Sequence, residues 1–421
     1  MYEIDINSLL NSVQCKCGKT HVCNIEKVYV EKGAIVRLAE VCAPFNSILI
    51  VADENTFAAA GVKVKSVLKD KSVKEIIFSG KTVLIPDERA IDKVNENIDG
   101  VDLILAVGSG VIQDLCKYVS KFSGIPYIDV ATAPSMDGYA SDGAAMILKG
   151  MKETVKAGLP KAIIADTEIL KDAPMDMIKA GYGDIIGKFS ALNDWKLSLI
   201  VNGEYYCQFI YDLTYKMIEN TLETAEGLLK REEKGVKALM EALVIVGILI
   251  SFAGSSRPAS GSEHHLSHFF EIVGIVNNEP YLAHGTDVAY STVITAGLRE
   301  KLAKTDFPKT QYRPERQAYI NKMQEVYKSV GDGCVALQDK IGNYDKDRAQ
   351  IYLDNQEKIK CVLKECPTAK EIEQMLNKVG LDLSEFYAFY GKEKIEKAVK
   401  YAKDLKDRYT VLWLNYDICG E

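Results

Sequence analysis

The 421-residue sequence lacks three features that would each point to a particular class of protein. It has no basic excess, because the formal net charge is −7 and the charges are spread along the chain, which argues against a nucleic-acid partner. Its start, MYEIDINSLL, has no basic region with a cleavage site, so we expect no secretory leader. Its longest apolar run, residues 242–254, is too short to span a bilayer of roughly 30 Å, so we expect a buried helix and no membrane partner.

The composition is that of an ordinary globular protein, with 47% hydrophobic and 26% charged residues. A chain of 421 residues exceeds what one core usually organises, so two domains are expected. The ten cysteines are scattered and no leader is expected, so reduced thiols and a cytoplasmic location are predicted.

The first part of the chain alternates between apolar runs of strand length and helical patterns. Strands that are apolar throughout and separated by helices are buried on both faces, which indicates a parallel α/β sheet. Ligands bind at the carboxyl ends of the strands in such sheets. The strands are predicted at 47–52, 75–78, 101–107, 126–131 and 162–165, with helices at 86–97 and 111–122.

A glycine turn follows the third predicted strand and opens the next helix. Gly108-Ser109-Gly110 would let the backbone approach a ligand, and the helix start through Val111-Ile112-Gln113-Asp114 offers N–H groups to a pyrophosphate. The usual dinucleotide fingerprint would need a third glycine at Gln113 and an acid about 20 residues later, and neither is present. An acid does end the first strand, at Asp53. Many such turns carry glycine for geometry alone, so both interpretations stay open.

A second turn follows the fourth strand and carries small polar side chains. Residues 132–143 include Thr132, Ser135, Asp137 and Ser141, which could hold ribose or substrate hydroxyls or could cap their own backbone. Residues 144–161 are predicted to form a hairpin. Beyond residue 166 the patterns are mostly helical, at 209–230, 235–252, 314–328, 347–366, 368–378 and 392–414. We therefore predict domains at 1–166 and 167–421.

Cysteines and a histidine cluster near the start, in the segment Cys15-Lys16-Cys17-Gly18-Lys19-Thr20-His21-Val22-Cys23. Structural zinc sites prefer gaps of two or more residues between paired cysteines, and here the gap is one. The sequence therefore favours a hairpin-like segment with free thiols over a metal site.

Histidines are scarce, and three of the five lie within Glu263-His264-His265-Leu266-Ser267-His268. On a helix, His264 and His268 would share a face about one turn apart, which is a metal-ligand spacing. A helical pair rarely completes a site, so a third ligand is expected, with His284 and Asp184 as suppliers. The alternative is a set of helix histidines satisfied by solvent or by their neighbours.

Four motifs in order give the chain a family resemblance: GSGVIQD at 108–114, TAPSMDGYAS at 132–141, GYGD at 181–184 and SGSEHHLSH at 260–268. They resemble the bacterial sn-glycerol-1-phosphate dehydrogenases, in the superfamily of glycerol dehydrogenase, dehydroquinate synthase and iron-dependent alcohol dehydrogenase. The resemblance implies an α/β nucleotide-binding domain with a parallel sheet, an all-α metal-binding domain, a cleft between them and a homodimer. Ser109, where archaeal relatives tend to have glycine, departs from the pattern.

The resemblance also implies roles for individual residues. Asp184, His264 and His284 would bind zinc or nickel, while His268 and Asp137 would contact the substrate, with Asp184 and these two as the catalytic set. NAD, with NADP also to be considered, would be held by Asp53, Gly108, Ser109, Gly110, Val111, Ile112, Gln113, Asp114, Thr132, Ala133, Pro134, Ser135 and Ser141.

The expected reaction is reversible reduction of dihydroxyacetone phosphate to sn-glycerol 1-phosphate, a step of phospholipid synthesis. Arg257 and Lys188 are candidates for the phosphate, or are surface or interface residues. The alternatives are oxidation of glycerol or another small alcohol, dehydroquinate synthesis, which would need more basic residues, and a metal or nucleotide sensor without turnover.

Overall fold

A computed structural model describes residues 4–149 and 151–420, and for Met151 and Lys152 it gives the backbone only. Contacts divide the chain into two compact units, residues 1–185 with 219–255 and residues 186–218 with 256–421. The units therefore differ from the single division after residue 166 that the sequence suggested. The difference arises because residues 167–185 and the helical segment 219–255, in the middle of the chain, belong to the first unit.

The first unit contains a six-stranded, fully parallel sheet and two antiparallel pairs. All five predicted sheet strands are confirmed within three residues at each end. A sixth strand, at one edge of the sheet, was missed because polar and apolar residues alternate in its sequence, KVYVE, which therefore lacks a continuous apolar run. The strands are β1 (Val13–Gln14), β2 (Thr20–His21), β3 (Lys27–Glu31), β4 (Ser47–Asp53), β5 (Ser72–Phe78), β6 (Leu103–Gly108), β7 (Tyr127–Ala131), β8 (Gly143–Leu148), β9 (Met151–Lys156) and β10 (Ala162–Asp166).

The strand order, β3-β10-β7-β6-β4-β5, locates the binding edge of the sheet. From β4 the chain moves outward to β5 and then returns to the other side of β4 as β6. The switch point therefore lies between β4 and β6, which is where open α/β sheets bind ligands, beyond the carboxyl ends of the strands. Val51 pairs with Ala106, so Asp53 and Gly108 end neighbouring strands at that point.

Two antiparallel pairs accompany the sheet. β8 and β9 form the predicted hairpin, and residue 150, between them in sequence, lies outside the described residues. β1 and β2 pair Val13 with His21 and Gln14 with Thr20, on either side of the turn that contains Cys15 and Cys17.

Helices make up most of the remaining described residues, and the second unit contains helices only among the elements described. The α-helices are α1 (Leu38–Val41), α2 (Glu54–Thr56), α3 (Val62–Val67), α4 (Glu88–Asn95), α5 (Gly110–Ser123), α6 (Thr167–Leu170), α7 (Met175–Asn202), α8 (Gln208–Glu223), α9 (Ala225–Leu229), α10 (Glu233–Ala253), α11 (Ser262–Asn277), α12 (His284–Ala303), α13 (Arg316–Tyr327), α14 (Gly331–Ile341), α15 (Ala349–Asp354), α16 (Gln356–Leu363), α17 (Ala369–Asn377), α18 (Leu383–Tyr401) and α19 (Val411–Cys419).

Two of the predicted helices are each divided into two helices in the structure. The helix predicted at 392–414 is the second half of α18 followed, after a break, by α19, and the one at 347–366 is α15 and α16. Amphipathic periodicity continues across these short breaks, so it could not reveal them.

The apolar run at 242–254 is part of α10, as expected for a buried helix, but α10 is 21 residues long. By length and composition it is the one helix among the described residues that could cross a membrane, and 83% of its most apolar window is buried inside the protein. Length and composition alone do not distinguish a membrane-spanning helix from a helix in a protein core, and α10 is mostly buried.

Candidate active site

The first glycine turn connects β6 to α5 and is tightly packed. A Cβ on Gly108 would lie 2.6 Å from the side chain of Ile112, so a larger residue would displace the start of α5. The amide of Gln113 donates to the Gly108 carbonyl at 3.1 Å, and its side chain is buried. Gln113 therefore stabilises the turn, at the position where the usual dinucleotide fingerprint has its third glycine. Ser109 is the N-cap residue of α5, and among the described residues its side chain makes no capping bond.

Asp53 lies beside this turn and caps a helix. Its Oδ1 accepts from the backbone N–H groups of Asn55 and Thr56, each at 2.8 Å, at the start of α2. These bonds fix the carboxylate at the switch point, where an acid in this kind of fold meets a ribose.

The second turn is joined to the first by its backbone. Thr132 N–H donates to the Gly108 carbonyl at 3.1 Å, and Ser135 N–H donates to the Ala133 carbonyl. The buried Lys117 amine donates to Asp114 and to the Gly138 and Gly143 carbonyls. The structure thus brings the predicted cofactor residues of both turns to one edge of the sheet.

Asp137 and Ser141 lie in the later part of the second turn, after Ser135. Ser141 Oγ donates to the Gly138 carbonyl at 3.2 Å. The backbone N–H of Asp137 donates to Asp184 Oδ2 at 3.0 Å, which links the turn to α7. Gly181 makes this approach possible, because a Cβ there would lie 1.9 Å from the Pro134 carbonyl oxygen.

Asp184 is carried on α7, a continuous helix that runs from Met175 to Asn202 through the boundary of the two units. One turn further on, Gly187 packs against Val288 of α12 and Glu263 of α11. One ligand atom from each of Asp184, His264 and His284 lies within 4.8 Å of the others. A carboxylate and two imidazoles at this separation suit a divalent ion such as zinc or nickel.

Glu263 supports His264 and was missed by the sequence analysis. Its Oε1 accepts from His264 Nδ1 at 2.7 Å and from the Gly261 N–H at 2.8 Å. Burial opposes the charge on Glu263, but the hydrogen bond from His264, the positive charge that this imidazole carries when protonated, and hydrogen bonds from Ser190 and Gly261 outweigh burial and lower the pKa of Glu263 to about 2. An Nδ1 that donates to a carboxylate leaves Nε2 with the lone pair that a metal ligand needs.

His284 has a similar partner in Ser267. His284 is the first residue of α12, and its Nδ1 lies 3.2 Å from Ser267 Oγ on α11. His264 and His284 are thus both held through Nδ1, by neighbours on the same helix α11.

His268 lies beside the group of three without belonging to it. Its ring centroid is 6.5 Å from that of His264 and 5.6 Å from that of His284, and its Nδ1 faces Glu271 Oε2 at 3.8 Å. The helical spacing of His264 and His268 suggested a pair of ligands, but the described group takes its second imidazole from His284.

Comparisons with known proteins agree on one family. Residues 29–174 match the family model described as iron-containing alcohol dehydrogenase. The chain is 32% identical over 408 residues to a glycerol-1-phosphate dehydrogenase (NAD(P)+) of Geobacillus thermodenitrificans, which covers 95% of this chain and 94% of that protein. The chain belongs to the glycerol-1-phosphate dehydrogenase family.

Two further relatives extend the comparison. The glycerol-1-phosphate dehydrogenase (NAD(P)+) of Geobacillus stearothermophilus is 31% identical, with 95% of each chain covered. The structure of an iron-containing alcohol dehydrogenase from Thermococcus thioreducens superposes with a TM-score of 0.63 at 15% identity, covering 94% of this chain and 98% of that one. The predicted fold, an α/β domain with a parallel sheet followed by a helical part, is confirmed.

In this member of the glycerol-1-phosphate dehydrogenase family, both cations suggested for the substrate phosphate, Arg257 and Lys188, are buried and hydrogen-bonded to other residues. Arg257 forms a bidentate ion pair with Glu204, at 2.7 and 2.5 Å, and donates to the Tyr409 carbonyl. Lys188 is fully buried and donates to the Ala259 carbonyl at 3.0 Å. Both residues thus hold the segment 256–260 that precedes α11.

A buried ion pair fixes the start of α11. Arg299 contacts Asp194 at 2.8 Å, and Asp194 accepts from the N–H groups of Ser262 and Val411. This network could not be predicted from sequence patterns, because its members come from four separate helices, α7, α11, α12 and α19. It positions the helix that carries Glu263 and His264.

Proposed function

We propose that this chain catalyses the reversible, NAD(P)-dependent reduction of dihydroxyacetone phosphate to sn-glycerol 1-phosphate. The observation that carries the proposal is the Asp184, His264 and His284 group, in a chain that is 32% identical to a glycerol-1-phosphate dehydrogenase across nearly its full length. We propose these three residues as the ligands of zinc or nickel.

The donor set determines what the site can do. A divalent ion bound by one carboxylate and two neutral imidazoles would keep a net positive charge and stabilise the negative charge that develops on a ketone oxygen during hydride addition. Glu263 and Ser267 keep the histidines oriented through their Nδ1 atoms. Asp184 is held through Oδ2 by the N–H of Asp137.

We propose His268 as the group that supplies the proton to the product alkoxide. It lies within 5.6 Å of His284, centroid to centroid, and imidazole is the side chain whose ordinary pKa is nearest neutrality. Its contact with Glu271 orients the ring. We propose that the Asp137 side chain orients a substrate hydroxyl.

NAD(P) would be held at the switch point of the sheet by residues 108–114, Thr132–Ser135 and Ser141, with Asp53 at the ribose. The start of α5 offers N–H groups and a positive dipole end to the pyrophosphate. Asp53 would repel a 2′-phosphate, so we expect NAD to be usable.

For the substrate phosphate we propose Arg408 and Lys406 in place of Arg257. Burial, together with the positive charges of Arg408 and Lys406, holds the pKa of His265 on α11 well below its ordinary value. Arg408 also donates to Ser256 Oγ at 2.6 Å and to the Ser260 carbonyl, in the segment before α11. We expect Arg408→Gln to raise KM for dihydroxyacetone phosphate at least tenfold and to leave KM for dihydroxyacetone unchanged. An equal effect on both substrates would contradict this assignment.

We further propose that the chain works as a cytoplasmic homodimer. The homodimer follows from the family resemblance, and the cytoplasmic location follows from the ten scattered cysteines, which are typical of a reducing compartment. Analytical ultracentrifugation of the purified chain would measure its mass directly.

One assay tests the proposed function. Protein stripped of metal is supplied with zinc or nickel, NADH and either dihydroxyacetone phosphate or dihydroxyacetone, and the handedness of the product is determined. We expect rapid NADH oxidation with the phosphate ester only, giving sn-glycerol 1-phosphate. Faster reduction of dihydroxyacetone would favour a small-alcohol dehydrogenase, and no NADH oxidation with any substrate and ion would favour a non-catalytic sensor.

A further inference from the structure

A second group of candidate ligands lies on the short hairpin of β1 and β2, apart from the residues of the proposed reaction. The turn is closed by hydrogen bonds from Cys15 N–H to the Lys19 carbonyl and from Gly18 N–H to the Cys15 carbonyl, both at 3.1 Å. Gly18 has φ +87°, a conformation that other residues adopt only with strain. The turn brings Cys17 Sγ to 3.5 Å from His21 Nε2.

His21 is oriented as a metal ligand would be. Its side chain is buried and stacks on Phe252 at the end of α10, with ring centroids 5.2 Å apart. His21 Nδ1 lies 3.0 Å from the Phe252 carbonyl oxygen. A carbonyl only accepts, so Nδ1 carries the hydrogen, and Nε2 directs its lone pair toward the thiol of Cys17.

The donor chemistry of this group differs from that of the proposed active site. Ligand atoms of Cys15, Cys17 and His21 lie within 4.8 Å of one another, and neither cysteine belongs to a disulfide bond. Thiolates with one imidazole form the usual ligand set of structural zinc sites, which have four protein ligands. The one-residue gap between Cys15 and Cys17, which weighed against a metal in the sequence, is accommodated because the tight turn adds His21 from the second strand.

We propose that Cys15, Cys17 and His21 bind a structural zinc ion, with Cys207, a buried thiol directly before α8, as the fourth ligand. The need for an ion follows from the size of the hairpin. β1 and β2 have two residues each, and isolated two-stranded hairpins are marginally stable at best. Zinc binding would contribute directly to the folding of this segment.

The test separates this ion from the one proposed at Asp184, His264 and His284. His264→Ala removes a ligand of the latter group only. We expect wild-type protein to contain two ions per chain by elemental analysis and His264→Ala protein to retain one. After replacement of zinc by cobalt, His264→Ala protein should show the intense near-ultraviolet absorption of thiolate-to-cobalt charge transfer, because only the hairpin group contains thiolates.

Cysteine variants then identify the ligands. In the His264→Ala background, Cys17→Ser and Cys207→Ser should each weaken zinc binding at least tenfold and reduce the charge-transfer absorption, whereas Cys361→Ser, at an exposed thiol, should change neither. His264→Ala protein with no bound ion, with a cobalt spectrum lacking thiolate bands, or with a Cys15–Cys17 disulfide would each overturn the proposal. These readouts do not depend on turnover, so failure of the proposed activity would be recognised separately.

Discussion

Asp129 in the first unit and Glu263 in the second are both carboxylic acids without solvent exposure, yet their pKa values move in opposite directions. Burial raises the pKa of Asp129 well above its ordinary value, and neither of its oxygens has a hydrogen-bond partner within the described residues. Burial also opposes ionisation of Glu263, but donors from His264 and Gly261 lower the pKa of Glu263 to about 2.

Hydrogen-bond donors, more than depth, thus decide which of the two buried acids is charged more readily. A charged Glu263 can hold the His264 imidazole in one tautomer, which is the requirement of a metal site. Asp129 lies within the sheet, on β7, where burial favours the uncharged acid. Only one of the two buried acids is therefore built into the proposed chemistry.

Removal of the His264 imidazole should have the largest effect. His264→Ala deletes a proposed ligand and one of the donors to Glu263, so we expect loss of the catalytic metal and a fall in kcat/KM of roughly 1,000-fold or more, the several kcal/mol that a bound ion supplies. Metal content and NADH oxidation measure the two effects. His265→Asn, at a neighbour outside the group of three, should keep the metal; full turnover of metal-free His264→Ala protein would refute the ligand assignment.

His268→Ala should have the next largest effect. The proposed proton donor lies outside the ligand group, so the variant should keep its metal while kcat falls about 10²- to 10⁴-fold, as for other general acids. Elemental analysis measures the bound metal. In a plot of kcat against pH, the variant should no longer show the fall in rate that loss of the proton from the general acid causes in the wild type. Loss of metal in this variant would instead make His268 a ligand.

Glu263→Gln tests whether the charge of the Glu263 carboxylate is needed to orient His264. The amide keeps the shape of the side chain but removes the charge that holds His264 Nδ1, so we expect metal affinity to weaken about 10- to 100-fold. Titration of the metal-free protein with zinc measures the dissociation constant. Glu263→Gln protein that binds zinc as tightly as wild type would show that geometry alone, without the charge, orients His264.

Much of the fold could be predicted because it depends on local patterns. Four of the five predicted strands, β4, β6, β7 and β10, are buried on both faces, and all five were located to within three residues. The edge strand β3 was not recognised because polar and apolar residues alternate in it, and the division of α18 from α19 lies in a sequence with continuous helical period. The two turns proposed for the cofactor could be located because they follow directly on strands of the parallel sheet.

The group of Asp184, His264 and His284 could be predicted from the sequence, but the residues that contact its histidines could not. The scarcity of histidine drew attention to His264, His268 and His284, but spacing alone favoured His264 with His268. Only the fold shows that His284 approaches His264 more closely, at 5.1 Å between ring centroids, than His268 does. Glu263 and Ser267 contact the histidines through helix geometry, and an acid next to a histidine in sequence carries no such information.

Asp129→Asn tests the uncharged acid and should leave turnover unchanged while altering stability. The folded-state pKa of Asp129 is raised, so above pH about 3.9 the unfolded chain releases a proton that the native protein retains, and stability falls as pH rises toward the raised pKa, by up to about 1.4 kcal/mol per pH unit. Asparagine has nearly the same shape and does not titrate. Urea unfolding at pH 5 and pH 8 should therefore show the variant gaining stability over wild type as pH rises. An equal difference at both values would mean that the native protein ionises Asp129, and the two buried acids would then differ less than their surroundings imply.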